Sequence, residues 1–302
     1  SLFFNDFWGE VKSLGAWGGD FVLATSHRPA EETRRYFNEK GFEKKTDKGI
    51  TITSPDHRFE VIRAIAAKDG EWSKRLTEQI LKEYEKTAAE RSEMDRSNEL
   101  TATLRVAEES VTSNPELSWY LFRRVMRQPL DFYWFWTPYS VANKDPKFAD
   151  ALYRELLSNY ANETPRRLLF LSAYPFGGDR PLGLDKFHYG TSVPGNFRPN
   201  TSLQRQFIDV LFRRVTAYAN DPASVNRPRE GYRHSEPLYL VTALNDLEPM
   251  IVQQFPDLVQ RYSAARATAS SLLNEEMKKE LADKERQNER TGSSFEERLA
   301  EI

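Results

Sequence analysis

Apolar positions along this chain follow two regimes. Before about residue 67 they come in short runs punctuated by glycine and proline. Phe21–Thr25 reads as a buried strand and Ile50–Thr53 as a second, alternating one. Between them, Pro29 suits the first turn of a helix, Glu31 and Glu32 favour its N-terminal dipole, and Gly41 stops it. Residues 1–67 are therefore expected to form a small α/β piece.

After that the period becomes helical. Trp72, Leu76, Ile80 and Tyr84 fall four apart, and Leu100, Leu104, Ala107 and Val111 form another stripe. Lys86–Asn98 between them is polar and reads as a frayed connection. Asn114-Pro115, Asp145-Pro146, Thr164-Pro165 and Asp221-Pro222 each place a capping oxygen before a proline, and Glu236-Pro237 is a weaker version. That pairing marks helix starts, because proline has no N–H to lose at the first helical position. Phe148, Leu152, Leu156 and Tyr160 follow one such start. Arg166–Tyr174 follows another, and its Leu168-Leu169-Phe170-Leu171 is apolar nearly all round, which predicts a helix buried on most sides.

Phe176–Asn200 holds too many glycines and prolines for a helix and is expected to be a long irregular loop. Asn200 caps a further helix carrying Leu203, Phe207, Leu211, Val215 and Tyr218. Ala219–Arg233 reads as a polar linker. Leu238–Leu247 and Met250–Phe255 pack, with Pro249 breaking or kinking the helix between them. Asn274–Arg290 is charged enough to be a solvated helix or disordered. The expected fold is mainly α: an irregular helical array, solenoid-like or multi-helix, with the α/β piece at its front. The boundaries are 1–67, 68–273 with the loop at 176–200, and a charged tail at 274–302.

Composition narrows the function classes. With 43 basic and 45 acidic residues, no global field draws nucleic acid. The chain has no cysteine, so disulfides, thiol nucleophiles and thiolate metal sites are excluded together. No apolar run reaches the ~20 residues of a membrane span. The chain lacks an initiator methionine and stops inside a helical pattern, so it reads as a fragment, and its compartment is left open.

The four histidines, at 27, 57, 188 and 234, show no metal-site spacing, and no H-E-x-x-H occurs. Neither G-x-S-x-G nor a strand-borne G-x-G-x-x-G is present, so no metal or dinucleotide cofactor is expected. Asp179, Asp185 and His188 in the long loop are the polar residues to inspect for acid–base work. The arginine pairs at 123–124, 166–167 and 213–214 read as solvated helix edges. Nucleic acid would need such arginines aligned in one stripe beside accessible aromatics.

The aromatic run Phe132-Tyr133-Trp134-Phe135-Trp136 lies in the most aromatic stretch, 118–140. Core packing is its first reading, a groove for a partner helix or peptide the second, and a stacked sugar or other ligand the third. Tyr133, Trp134 and Trp136 are thus candidate binding residues. Phe187, His188 and Tyr189 are candidate pocket residues in the long loop.

Residues 6–21, DFWGEVKSLGAWGGDF, with Tyr36-Phe37 and Lys40-Gly41-Phe42, resemble the C-terminal segment of GHMP-type small-molecule kinases of the GYDIA family. The likeness spans about the first 42 residues and then breaks. It implies a phosphate-supporting role for Gly15, Gly18 and Gly19. The N-terminal phosphate loop that transfer requires is absent from the sequence. A tight turn before a strand is the plainer account of these glycines. The remainder resembles uncharacterised helical bacterial proteins, and that likeness carries no site. A chain joining segments of separate origin is a further reading of the break.

The leading expectation is a non-catalytic helical scaffold that binds a protein or peptide through an aromatic-lined face. The alternative is a fragment or remnant of a GHMP-type kinase lacking its phosphate loop.

Overall fold

The computed structural model describes residues 43–45, 51–53, 58–66, 69–86, 93–183, 193–221 and 236–290. The chain is mainly helical. It divides into two compact units, Ser1–Gln128 and Pro129–Ile302, each an irregular array of helices. Among the described residues, strand is confined to one antiparallel pair in the first unit. β1, Glu43–Lys45, pairs with β2, Thr51–Thr53, with Lys44 opposite Ile52. The expected strand at 21–25 and the helix after it lie outside the described residues.

In the first unit, α1 (Arg58–Ala66) packs on α2 (Gly70–Lys86) and on α3 (Glu93–Glu109), and α3 packs on α4 (Pro115–Val125). The predicted stripes supply this core. Leu76 and Ile80 of α2 are buried, as are Leu104 and Ala107 of α3 with Val111 just beyond it. Phe59, Ile62 and Ile65 of α1 and Leu121 and Phe122 of α4 are buried as well. Two hydroxyls stitch helices together inside this core. Ser73 Oγ donates to the Ile62 carbonyl at 3.3 Å, and Ser118 Oγ donates to the Ala107 carbonyl at 2.7 Å. Arg58 is buried and pairs with Glu83 at 2.7 Å, its guanidinium also lying over the Tyr84 ring.

Two expectations change here. A boundary near residue 67 would cut between α1 and α2, but the apolar residues of α1 find their partners on α2 and α3. The division falls instead after Gln128. Helix α3 also starts at Glu93, within the stretch read as a frayed connection.

In the second unit, α5 (Tyr133–Ala142) packs on α6 (Pro146–Asn159). A broken run follows: α7 (Pro165–Leu168), a 3-10 turn (Leu169–Leu171) and α8 (Ala173–Phe176). Then come α9 (Thr201–Ala219), α10 (Glu236–Gln254), a 3-10 turn (Pro256–Leu258), α11 (Val259–Ser271) and α12 (Glu275–Arg290). Helix α11 packs on both α9 and α10, while α7 touches α9 and α10, and α8 touches α5 and α9. The broken run 165–176 is thus the hub of this unit.

The caps were legible. Asn114 Oδ1 accepts from Leu117 N, Asp145 Oδ1 from Lys147 N and Phe148 N, and Asn200 Oδ1 from Ser202 N and Leu203 N. Thr164 precedes α7 without a side-chain cap. Pro249 sits inside α10 without interrupting it, and Pro138 sits inside α5. Leu247 and Ile251 on either side of Pro249 are fully buried, and that packing holds the helix through the lost hydrogen bond. The charged segment 274–290 is the helix α12, opened by Asn274 Oδ1 accepting from Met277 N.

The hub was expected as one helix, and it is three short pieces. Its side chains are buried as predicted, Leu168 through Leu171 included. Breaking a helix in the core leaves carbonyls without intrahelical partners, and phenols from the neighbouring helices satisfy them. Tyr153 Oη donates to the Leu171 carbonyl at 2.8 Å, and Tyr139 Oη lies 2.9 Å from both the Ala173 and Gly178 carbonyls. Ser172 Oγ donates to the Leu169 carbonyl at 2.6 Å and accepts from Leu182 N at 2.7 Å. Burial pushes Tyr139, Tyr153 and Tyr174 well above the ordinary phenol range, with neighbouring phenols or carboxylates adding to it.

The described parts of the loop after α8 are pinned to this unit. Gly177, at φ 68°, ends α8 in the left-handed region. Gly183, at φ 69°, donates its N–H to Asp246 Oδ2 at 3.0 Å. A Cβ there would lie 2.7 Å from the Tyr239 carbonyl oxygen, so only glycine fits against α10. The Phe197 ring centroid is 5.1 Å from those of Tyr139 and Tyr174, and Asn200 Nδ2 donates to Asp150 Oδ2 at 2.6 Å.

Two outcomes follow from the phenol network. Tyr153→Phe keeps the ring but strands the Leu171 carbonyl, so denaturant unfolding should show a loss of about 1–3 kcal/mol. Because the folded pKa values are raised, these tyrosines stay neutral while their unfolded counterparts ionise. Their contribution is complete below the unfolded pKa of about 10 and is lost as pH climbs toward the folded values. Unfolding free energy should therefore fall above about pH 10, less steeply in Tyr153→Phe than in the native chain.

Candidate functional site

The aromatic run at the start of α5 divides by helical geometry into two faces. Trp134 and Phe135 point into the core, at 1% and 0% exposure, followed by buried Pro138 and Tyr139. Trp134 is hydrogen-bonded to Tyr160, so its indole N–H is satisfied inside the unit. Phe132, Tyr133 and Trp136 are half-buried and face outward. Their rings form a closed triangle. Phe132 and Tyr133 centroids are 4.1 Å apart, Phe132 and Trp136 5.2 Å, and Tyr133 and Trp136 5.6 Å. The two Trp136 contacts are edge-to-face, the arrangement that aromatic quadrupoles favour. Phe135 also touches Trp136 at 6.2 Å and ties the patch to the core.

Of the three candidates in this run, Tyr133 and Trp136 are brought together at the surface and Trp134 is separated from them. Trp134 belongs to the core because α5 turns it toward Tyr160, which leaves it no face for a ligand. Phe132 joins the patch although it was not singled out in the sequence. Its place beside Trp136 follows from the i, i+4 spacing.

The remaining candidates are elsewhere. Phe187, His188 and Tyr189, together with Asp185, lie outside the described residues, and so do Gly15, Gly18 and Gly19. All four histidines do as well. Asp179 is exposed at the start of the loop. Among the described residues, no cluster of carboxylates is placed to hold a metal ion, and no helix is long and apolar enough to cross a membrane.

The first unit carries a second feature. The outer face of α4 and its exit turn line an open cleft of about 460 Å³, formed by Glu116, Trp119, Tyr120, Arg123, Arg124 and Arg127. The opposite face of α4, through Leu117, Leu121 and Phe122, is buried. The Arg123 guanidinium lies 5.2 Å from the Trp119 ring centroid, and Lys74 Nζ of α2 lies 5.5 Å from that of Tyr120. Partial burial and the neighbouring Glu78 raise the Tyr120 pKa, while Arg124 and Arg127 oppose that shift. Two of these arginines occupy the last turn of α4, where they also offset its dipole. The spacing 116, 119/120, 123/124, 127 was visible in the sequence, but its reading as a solvated edge missed the aromatics on the same face.

No family model, curated protein or solved structure matches the chain. The site is therefore read from its own chemistry.

The two tryptophans of α5 should separate in a thermal or denaturant melt. Trp134→Ala empties a fully buried indole site and should cost about 3–5 kcal/mol. Trp136→Ala removes ring contacts and partial burial only, and should cost about 1–2 kcal/mol.

Proposed function

We propose that this chain is a non-catalytic helical scaffold that binds a protein or peptide through the aromatic patch of Phe132, Tyr133 and Trp136. The observation that carries the reading is the ring triangle. Three half-buried aromatic side chains are locked against one another, on a helix whose other face is anchored in the core. Aromatic residues held rigid before binding lose little conformational entropy on contact, and tryptophan and tyrosine dominate the energetics of protein interfaces. The patch offers apolar ring faces beside the indole of Trp136. It thus suits an apolar side chain flanked by a hydrogen-bonding backbone, as a docked helix or extended segment presents.

The test is affinity capture from cell extract with the native chain, Trp136→Ala and the Tyr133→Ala/Trp136→Ala pair, each checked by a thermal melt. A specific partner should be retained by the native chain and lost from the double variant, while the melt of that variant stays cooperative. Equal retention by all three would remove the patch from the interface.

A further inference from the structure

We propose that α11 and α12 form a strap that opens as one piece from α9 and α10, held shut by ion pairs and loosened by salt. This device is separate from the α5 patch. It starts from how little apolar surface holds the strap. Helix α9 buries nine of its 19 residues and α10 ten of its 19. Helix α11 buries three of its 13, Tyr262, Ala265 and Ala269, and two of those are alanines. Leu273 is buried just beyond it, and α12 has no buried side chain among its described residues. Local opening is cheapest where few apolar contacts are lost.

The helix is also weak by itself. Ser263 and Thr268 donate back to the carbonyls of Val259 and Ala264, at 3.0 and 2.9 Å, and Ser271 donates to that of Thr268 at 2.7 Å. Such back-bonds compete with the helical ladder.

Charge supplies the rest of the attachment. Arg261 and Arg266 are the only charged residues of α11. Arg261 pairs with Asp209 of α9 at 2.6 Å, and Arg266 with Glu248 of α10 at 3.1 Å. In the turn just before α11, Asp257 takes both terminal nitrogens of Arg205 from α9. Arg213 and Arg214, the other cations of α9, form no ion pair, and Arg213 donates instead to the Asp209 carbonyl. The charges of α12 include two pairs closed within the helix, Glu275 with Lys278 and Asp283 with Arg286. The six side chains that tie α11 down are 35% to 56% exposed, so dissolved ions reach them.

The hinge is the 3-10 turn Pro256–Leu258, anchored by buried Phe255 and Leu258. Opening beyond it uncovers Phe212 of α9. That ring is 4% exposed, with the Tyr262 ring 6.5 Å and the Arg261 guanidinium 5.7 Å away. Ionic strength thereby controls access to an apolar face of α9.

The experiment is hydrogen–deuterium exchange on the full chain, read by peptide, at low and high sodium chloride and in low denaturant. Amides of α11 should exchange at least tenfold faster than those of α9 and α10, and low denaturant should change them little, because a local opening exposes little surface. Raising salt from about 0.01 M to 1 M shortens the screening length from about 30 Å to about 3 Å. Exchange in α11 should then rise about three- to tenfold, with α9 and α10 unchanged. Arg205→Gln/Glu248→Gln alters only the partners outside the strap. It should speed α11 by a similar factor at low salt and remove most of the salt response. If that variant does not fold, the salt and denaturant series on the native chain decide the outcome. Exchange of α11 at the rate and denaturant dependence of α9 and α10 would make it part of the global unit and overturn the proposal. Faster exchange indifferent to both salt and the variant would overturn the role of the ion pairs.

Discussion

The second unit depends on keeping the carbonyls of its buried hub hydrogen-bonded. Residues 165–176 are too enclosed for water to satisfy a broken helix, and an unpaired carbonyl there would cost as much as a lost hydrogen bond. Phenols from α5 and α6 close that gap. Tyr139 reaches Ala173 and Gly178 from one side, and Tyr153 reaches Leu171 from the other. This fixes the direction in which α5 and α6 present their buried faces. On α5, Trp134, Phe135 and Tyr139 are buried, while Tyr133 and Trp136 are turned outward.

The loop after α8 belongs to the same arrangement. Ser172 bonds at once to Leu169 behind it and Leu182 ahead of it, so the hub holds the start of the loop directly. Gly183 then lies against α10 at a distance no side chain tolerates. Phe197 returns to the Tyr139 and Tyr174 rings, and Asn200 both caps α9 and bonds Asp150. The described parts of a segment rich in helix breakers are therefore packed, with specific partners at each end. Gly177 supplies a left-handed helix end and Gly183 a close approach to α10.

The first unit relies on different physics. Its helices are held mainly by apolar stripes, with serine hydroxyls spanning α1 to α2 and α3 to α4. The outer face of α4 is consequently free of core duty. Arginines and aromatics can share it because the opposite face alone supplies the packing. The α4 cleft and the α5 patch follow one rule: a helix anchored on one side presents its remaining side chains on the other.

Much of the helical layout was written in the sequence. Periodicity placed the stripes of α2, α3 and α9, and Asn114, Asp145 and Asn200 announced their helices, because a cap is decided by a few adjacent residues. The total burial of Leu168–Leu171 was equally local, since an all-apolar turn has no face to give to water. Tertiary structure alone decided the rest. It chose which of Trp134 and Trp136 is core, because the run from Phe132 to Trp136 offers no polar face to break the tie. It carried α10 through Pro249 by burying the residues on both sides, and it assigned α1 to the helices after it. Period tells which residues share a face of a helix; which face is covered depends on neighbours distant in sequence, and no local pattern encodes them.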